Sequence, residues 1–415
     1  RRLSETGLFE SVKLHVPAPG VIPFLVNAEM WSDYALAERF VALPGDSSIQ
    51  TGATNVWLYQ SKNEWRYPTN AVLAKTLFLY TEQNRPLAPR RVETQVLHYD
   101  GLDWHAYSYR WNDEQTDATL VDAAGDERVF EIKDPRVRGG ARKQVWRFHS
   151  RSECLRCHNP WANYALAFTT SQLNRDVQYQ AEHPVSASLP VVMRPSPWVG
   201  EGVTQDNQLR TFSHLGYFDQ PLDERARPKF CDPSYPTGDI TERARSWLHV
   251  NCSHCHREGA GGAVVSHFDY DTKLGEMKAI GRVPSQGTLG LAGAHVITPG
   301  EPSRSTLFYR ISTTGQGRMP HIGSRMVDVA GTRLIHDWIE QLPKELSEDK
   351  TDDDAAERQR ANNAEAVKRL RGAQWSIQKT SEAVDQLLSS PSGALTLLAA
   401  LNREEGRYQP IGTQP

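Results

Sequence analysis

The stretch DITERARSWLHVNCSHCH, residues 239–256, reads as a helix that runs into a metal-cofactor motif. Asp239 is a natural N-cap, and Glu242 places a carboxylate in the first turn, where the helix end is positive. A helix is therefore predicted over Ile240–Asn251. Trp247 and Leu248 form its apolar side just before Cys252-Ser253-His254-Cys255-His256. C-x-x-C-H is the pattern of covalent haem c attachment. Two thiols add to the two vinyl groups of one porphyrin, and the adjacent histidine lies under the ring and offers its nitrogen to iron. The pattern recurs at Cys154-Leu155-Arg156-Cys157-His158. Cys154, Cys157, Cys252 and Cys255 are thus predicted to bind two haem c groups, with His158 and His256 as iron ligands.

Two other readings of the cysteines are weaker. Zinc pairs usually lie about 15–20 residues apart, whereas about 95 separate these. A thioredoxin-like redox pair has no need of a histidine after both copies. The fifth cysteine, Cys231, lies in the Pro-rich link KFCDPSYPTGD. It is expected to be an inert, partly buried thiol, with an intermolecular disulfide as the alternative. His249 and His254 are expected at the surface near the haem edge.

Downstream of the second motif comes Gly315-Gln316-Gly317-Arg318-Met319-Pro320. A second amphipathic helix, Val329–Gln341, follows, with Leu334, Ile335, Trp338 and Ile339 on one side and Pro343 as its stop. Helix, C-x-x-C-H, loops, Met-Pro, helix: this order resembles a small class I cytochrome c domain. The resemblance implies that the two terminal helices cross and that the Met319 sulfur is the sixth iron ligand. Met326 and His321 are the nearest competitors, and a methionine that merely fills a core gap is the bland alternative. Thioether ligation raises a haem's potential, so the second haem is expected to be the higher-potential one.

At 415 residues the chain fits two or three domains. Its net charge of −3 argues against nucleic-acid binding. No apolar run approaches the length of about 18 residues that a membrane span requires. The chain begins at Arg1, which reads as a processed product or a piece of something longer.

Residues 1–225 read as a β-rich first-haem domain, 226–343 as the all-α cytochrome c-like domain and 344–415 as a charged helical tail. The fold class is α+β. Ala71–Tyr80, Arg91–Tyr99, Trp104–Trp111 and Val145–Phe148 look like strands of an antiparallel sheet or sandwich. Trp161–Arg175 is expected to be a helix returning over the haem. Sheet strands followed by a late C-x-x-C-H resemble the cytochrome P460 and β-type cytochrome c′ group. That likeness implies an open or capped distal side and gives Lys75 a role near the porphyrin. The sixth ligand of the first haem stays open between Lys75, His98, His105, His149, His183, His214 and no protein ligand. Met193, in VVMRPSP, matches poorly. In the tail, residues 344–371 read as a solvated helix with i,i+4 charge pairs. Ala383–Leu401 reads as two short apolar helices, broken at Ser-Ser-Pro-Ser-Gly, that dock on a partner or on a continuation of the chain.

A broader resemblance covers about residues 2–342. LSETGLFE, VNAEMWSD, YPTNAVLAKT, YSYRWNDEQTDATLVDAAG, SRSECLRCHN, TSQLNRD, RARSWLHVNCSHCH and PGEPSRSTLFYRIS…GRMP are similar to a family of bacterial di-haem c-type cytochromes. In planctomycete-like bacteria such modules are often fused behind a glucose/sorbosone-type quinoprotein dehydrogenase. The resemblance implies a periplasmic or otherwise extracytoplasmic electron relay. Its partners would be a dehydrogenase or further cytochrome domains in a larger assembly. The alternative is a di-haem oxidoreductase, peroxidase-like or oxidising a small molecule, with an open first haem. No carboxylate pair shows catalytic spacing.

Overall fold

The computed structural model of the chain describes residues 1–51, 65–82, 89–135, 137–180, 203–347, 354–371 and 377–404. It shows a mixed α+β protein with an antiparallel sheet. Two compact units divide at Cys231 and Asp232.

The first unit contains β1 (Phe9–Ser11), β2 (Val16–Pro17), β3 (Val21–Phe24), β4 (Leu36–Ala42), β5 (Val72–Leu79), β6 (Arg90–Tyr99), β7 (Trp104–Trp111), β8 (Ala118–Leu120), β9 (Asp126–Lys133), β10 (Ala141–Phe148), β11 (Asp176–Gln180) and β12 (Val203–Asn207). Strands β3 to β8 form one antiparallel meander in sequential order, while β1–β2, β9–β10 and β11–β12 are two-stranded ribbons. Alternation sets the two faces of the meander. On one face Phe40, Ala74, Val96, Tyr109 and Trp111 pack against Leu3, Leu8, Phe9 and Val12. The other face carries two separate apolar clusters. Val41, Leu97, Trp104 and Ala106 meet Phe168, Leu173, Leu209 and Phe212 at one end. Ala37, Leu77 and Leu79 meet Phe130, Ile132, Trp146 and Phe148 of the β9–β10 ribbon at the other.

Helices α1 (Arg151–Cys157), α2 (Thr170–Leu173) and α3 (Gln208–His214) complete the unit. The expected helix over Trp161–Arg175 does not form. Pro160–Ala162 is a single 3₁₀ turn, and Asn163 and Tyr164 are both left-handed, with φ of 52° and 53°. Consecutive left-handed residues cannot continue a right-handed helix. Only the four-residue α2 survives of the expected element.

The second unit is helical, with α4 (Ile240–Leu248), α5 (Thr306–Ser312), α6 (Val329–Gln341), α7 (Asp354–Arg371), α8 (Ile377–Leu388) and α9 (Pro391–Glu404). Asp239 caps α4, accepting from the backbone N–H of Thr241 (2.9 Å) and Glu242 (3.0 Å). The expected helix continues past Leu248 as a wider, π-type turn over His249–Ser253. Helix α6 has the predicted bounds, and Leu334, Ile335, Trp338 and Ile339 bury with Trp247, Leu248 and Phe308 in one core. Each such side chain contributes about 1.5–3 kcal/mol by leaving water.

Helices α4 and α6 meet at Gly331. Trp247 Nε1 donates to Asp328 Oδ2 (2.8 Å), and Asp328 Oδ1 caps α6 by accepting from Gly331 N (2.9 Å). Of the solvated helix expected over residues 344–371, α7 forms Asp354–Arg371 with its polar side in solvent, while Lys344–Leu346 is a 3₁₀ turn. The apolar tail helices pack in part on the chain itself: Ala383 and Leu387 of α8 are buried and Leu395 of α9 joins the core of the second unit, while Ile377, Leu388 and Leu401 stay exposed. Arg360 bonds Glu301 (2.9 Å), and Arg333 donates to the Asn402 carbonyl, tying tail to core. No helix among the described residues is long and apolar enough to cross a membrane.

Candidate functional site

The first motif is built by local chemistry. Ser150 and Glu153 form a capping box: Ser150 Oγ accepts from Glu153 N (3.2 Å), and Glu153 Oε2 accepts from Ser150 N (2.8 Å). Arg147 braces Glu153 from β10 (3.0 Å). With α1 started at Arg151, Cys154 and Cys157 fall at i and i+3 on one side of the helix. His158 ends the helix, its N–H on Cys154 O (3.0 Å). Asn159 then caps the 3₁₀ turn through Ala162 N (2.9 Å), and the left-handed Asn163–Tyr164 pair reverses the chain. The reversal places the Tyr164 carbonyl 2.5 Å from His158 Nδ1. A carbonyl only accepts, so Nδ1 carries the proton, and in the neutral ring the lone pair is then on Nε2. This tautomer is the one required of an iron-ligating histidine.

Cys154 packs against the Leu97–Ala106 cluster, so the first motif faces that side of the sheet. Beside the apolar row Val41–Leu73–Leu97–Ala106 runs a second cross-strand row: Arg39, Lys75, Gln95 and Ser108, paired in register across β4 to β7. A polar row through the buried face of a sheet works against packing, and such local conflicts concentrate at functional sites. Glu93, 1 % exposed, lies just beyond it and accepts from Ser108 Oγ (2.6 Å), Trp146 Nε1 (2.9 Å) and Gln95 Nε2 (3.2 Å). Burial pushes its carboxyl above the ordinary carboxylate range, against those hydrogen bonds. Lys75 Nζ donates to Ser32 Oγ (3.3 Å); burial, then Arg39, brings its ammonium down to about 8. Arg39 pairs with Glu29 (2.8 Å) and keeps a buried Nε without a hydrogen-bond partner.

The sixth-ligand candidates scatter. Lys75 lies on the Cys154 side of the sheet, one row beyond Leu73. His98 and His105 pair with each other on the opposite face, bonding Asn70 (3.2 Å) and Asp100 (2.8 Å). His214 is exposed at the end of α3, and His149 is half-buried just ahead of α1. His183 and Met193 lie outside the described residues. The polar row needed strand register to be seen. Its only sequence signals are the charges of Arg39 and Lys75 inside the apolar runs LAERFVA and VLAKTLFL.

In the second motif the turn after α4 carries Cys252, with His256 N on Cys252 O (2.9 Å). Cys252 packs against the main core of its unit. Gly262 N returns to Cys255 O (3.1 Å), and Phe268 N donates to His256 O (2.8 Å). A Cβ at Gly262 would meet Cys255 O at 2.6 Å and His256 Nδ1 at 3.3 Å, so the loop closes on the motif only without a side chain there. His256 Nδ1 is buried with no partner in hydrogen-bonding geometry, although the Val264 backbone lies near enough to favour the protonated ring. Burial outweighs this and lowers the ring's pKa, keeping the imidazole neutral as iron requires. His254 is buried (4 % exposed) and His249 half-buried, in place of the expected surface positions. The π-type turn carries both inward, and His249 Nδ1 accepts from Tyr270 N (3.1 Å).

Met319 is half-buried, its N–H on Arg310 O (3.0 Å). The same loop brings His321 close enough to His256 to help lower its pKa. His321 itself is exposed, and Met326 is half-buried.

The thiols separate the competing chemistries. Burial first, then the Glu93 and Glu153 carboxylates, pushes Cys154 up to about 12; burial and Cys255 push Cys252 up to about 12. Redox-active cysteines need the opposite environment, electropositive and thiolate-stabilising. Among the described residues neither motif gathers a metal-binding group; the one such group is His336, Asp337 and Glu340 on α6. At the first motif the apolar surroundings of Cys154, its raised pKa and the carbonyl-held His158 ring fit a covalently bound porphyrin. No family model matches the chain, and no curated protein or solved structure is similar to it.

Proposed function

We propose that the chain is a di-haem c-type cytochrome of the extracytoplasmic space that relays electrons between a dehydrogenase or other redox partner and an acceptor. The observation that carries the reading is the His158 turn, where the Tyr164 carbonyl accepts from Nδ1–H, as in a histidine that would ligate iron through Nε2. A bound haem c would supply a one-electron couple at each motif. Cys154 and Cys157 would hold the first, with His158 as ligand; Cys252 and Cys255 the second, with His256 and Met319. The crossing of α4 and α6 at Gly331 supports a class I cytochrome c-like second unit. The sheet with its late motif supports a likeness of the first unit to the cytochrome P460 group. A quinoprotein dehydrogenase or further cytochrome domains are the proposed partners.

One observation favours a second reading, a di-haem oxidoreductase with an open first iron. Glu93, which burial tends to keep protonated, and Lys75, whose ammonium is weakened, stand on the side of the sheet that packs Cys154. Such groups hold or move protons beside a reactive metal. Chain exported with its maturation machinery should give two haems per polypeptide by alkaline pyridine spectrum. Cys154→Ala and Cys252→Ala should each remove one of them. Haem-free wild-type protein after such maturation would refute both readings. A carbon monoxide difference spectrum of the reduced protein then separates them: no response supports the relay, and a response from half the haem supports the oxidoreductase.

A further inference from the structure

The loop that presents Met319 is tied by one buried cation. Arg318 is 8 % exposed. Its guanidinium donates to the carbonyls of Pro320, Ser324 (2.9 Å) and Met326 (2.9 Å) and to Ser324 Oγ (2.8 Å). All four acceptors lie within eight residues downstream, so the fork gathers residues 320–326 around itself. From the other side Arg310 of α5 grips the approach: its carbonyl accepts from Met319 N (3.0 Å), and its guanidinium donates to Gly317 O (3.0 Å). Met319 thus stands between two anchored stretches of backbone. A methionine side chain turns about three bonds, so a rigid backbone is what defines where its sulfur sits. A planar fork can hold four oxygens at fixed angles, which a lysine ammonium cannot.

We propose that Arg318 is the positioning residue for the Met319 sulfur, clamping residues 320–326 so that the thioether stays on the second haem iron. This rests on the reading of Met319 as an iron ligand. The test is the weak far-red absorption of sulfur-ligated ferric haem, recorded on the mature full-length holoprotein, together with carbon monoxide binding after reduction. Wild type should show the far-red band. Arg318→Lys and Arg318→Gln should lose it and make the second haem reactive to carbon monoxide. Haem should stay attached at Cys252 and Cys255 in both, with unchanged far-ultraviolet dichroism. If the arginine variants fail to fold, Ser324→Ala removes one acceptor and leaves the cation, and it should weaken the band. A band unchanged in Arg318→Lys, or in Ser324→Ala where that variant stands in, overturns the proposal alone. A wild-type holoprotein without the band overturns Met319 ligation and the proposal with it.

Discussion

Replacing Gly331 by alanine should loosen the second unit at the crossing of α4 and α6. The added Cβ would fall on Trp247 Nε1 and Asp328 Oδ2 and lie 2.5 Å from Trp247 Cε2. Trp247 is 5 % exposed and walled in by the core, so it cannot swing away without opening a gap. Overpacking of this kind costs about 1–3 kcal/mol. Displacing the indole also breaks its hydrogen bond to Asp328, and a buried acceptor left unpaired costs about 1–3 kcal/mol more. Alanine's better helix propensity returns about 1 kcal/mol. The net expectation is a loss of about 1–5 kcal/mol, centred near 3. Two compact units make a single global transition a poor readout, so the assay is local: amide hydrogen exchange in α6. A loss of about 3 kcal/mol speeds exchange roughly 100-fold, at about tenfold per 1.4 kcal/mol. Gly275→Ala is the control, because a Cβ there meets nothing within 4 Å. If α6 amides in Gly331→Ala exchange within about threefold of that control, the close-contact reasoning is wrong.

Gly262→Ala should push the returning loop off Cys255, costing about 1–3 kcal/mol by overpacking; faster exchange at the Gly262 amide checks it, and unchanged exchange refutes it. Glu93 has a native pKa raised above its ordinary 4.5, so its stabilising contribution is complete below 4.5 and is lost as pH rises through the raised value. Glu93→Gln should therefore flatten the pH dependence of the first unit's stability above pH 4.5, as read by denaturant midpoints; an unchanged slope refutes the claim. His249 is depressed from 6.5 to about 3, chiefly by burial and then by Arg257 and His254, so the second unit should weaken as pH falls below 6.5. At pH 5 the loss should be about 1–2 kcal/mol. His249→Asn should remove that acid sensitivity, and a variant as acid-sensitive as wild type would count against it.

Elements decided by periodicity were legible in the sequence. Strand β7 and helix α6 have the predicted bounds, because alternation in WHAYSYRW and the 3.6-residue spacing of Leu334, Ile335, Trp338 and Ile339 are local properties. What the sequence hid depends on contacts between distant or oddly turned residues. Asn163 and Tyr164 look helix-compatible, yet their left-handed backbone is what brings the Tyr164 carbonyl onto His158. Arg39, Lys75, Gln95 and Ser108 span about 70 residues of sequence and become one row only once register is known. The inward turn of His249 and His254 likewise needed the π-type widening after Leu248, which no propensity scale signals.

The first motif's turn has a kinetic consequence. The hydrogen bonds described for it (Ser150–Glu153, His158–Cys154, Asn159–Ala162, Tyr164–Asn159 and His158–Tyr164) each reach six residues or fewer. Loops that short close in well under a microsecond, far ahead of any six-stranded meander. A segment of about fifteen residues can therefore sample its working shape before the sheet forms, although packing is needed to hold it. The sheet's burial of Cys154 then stabilises a turn whose own hydrogen bonds are all local.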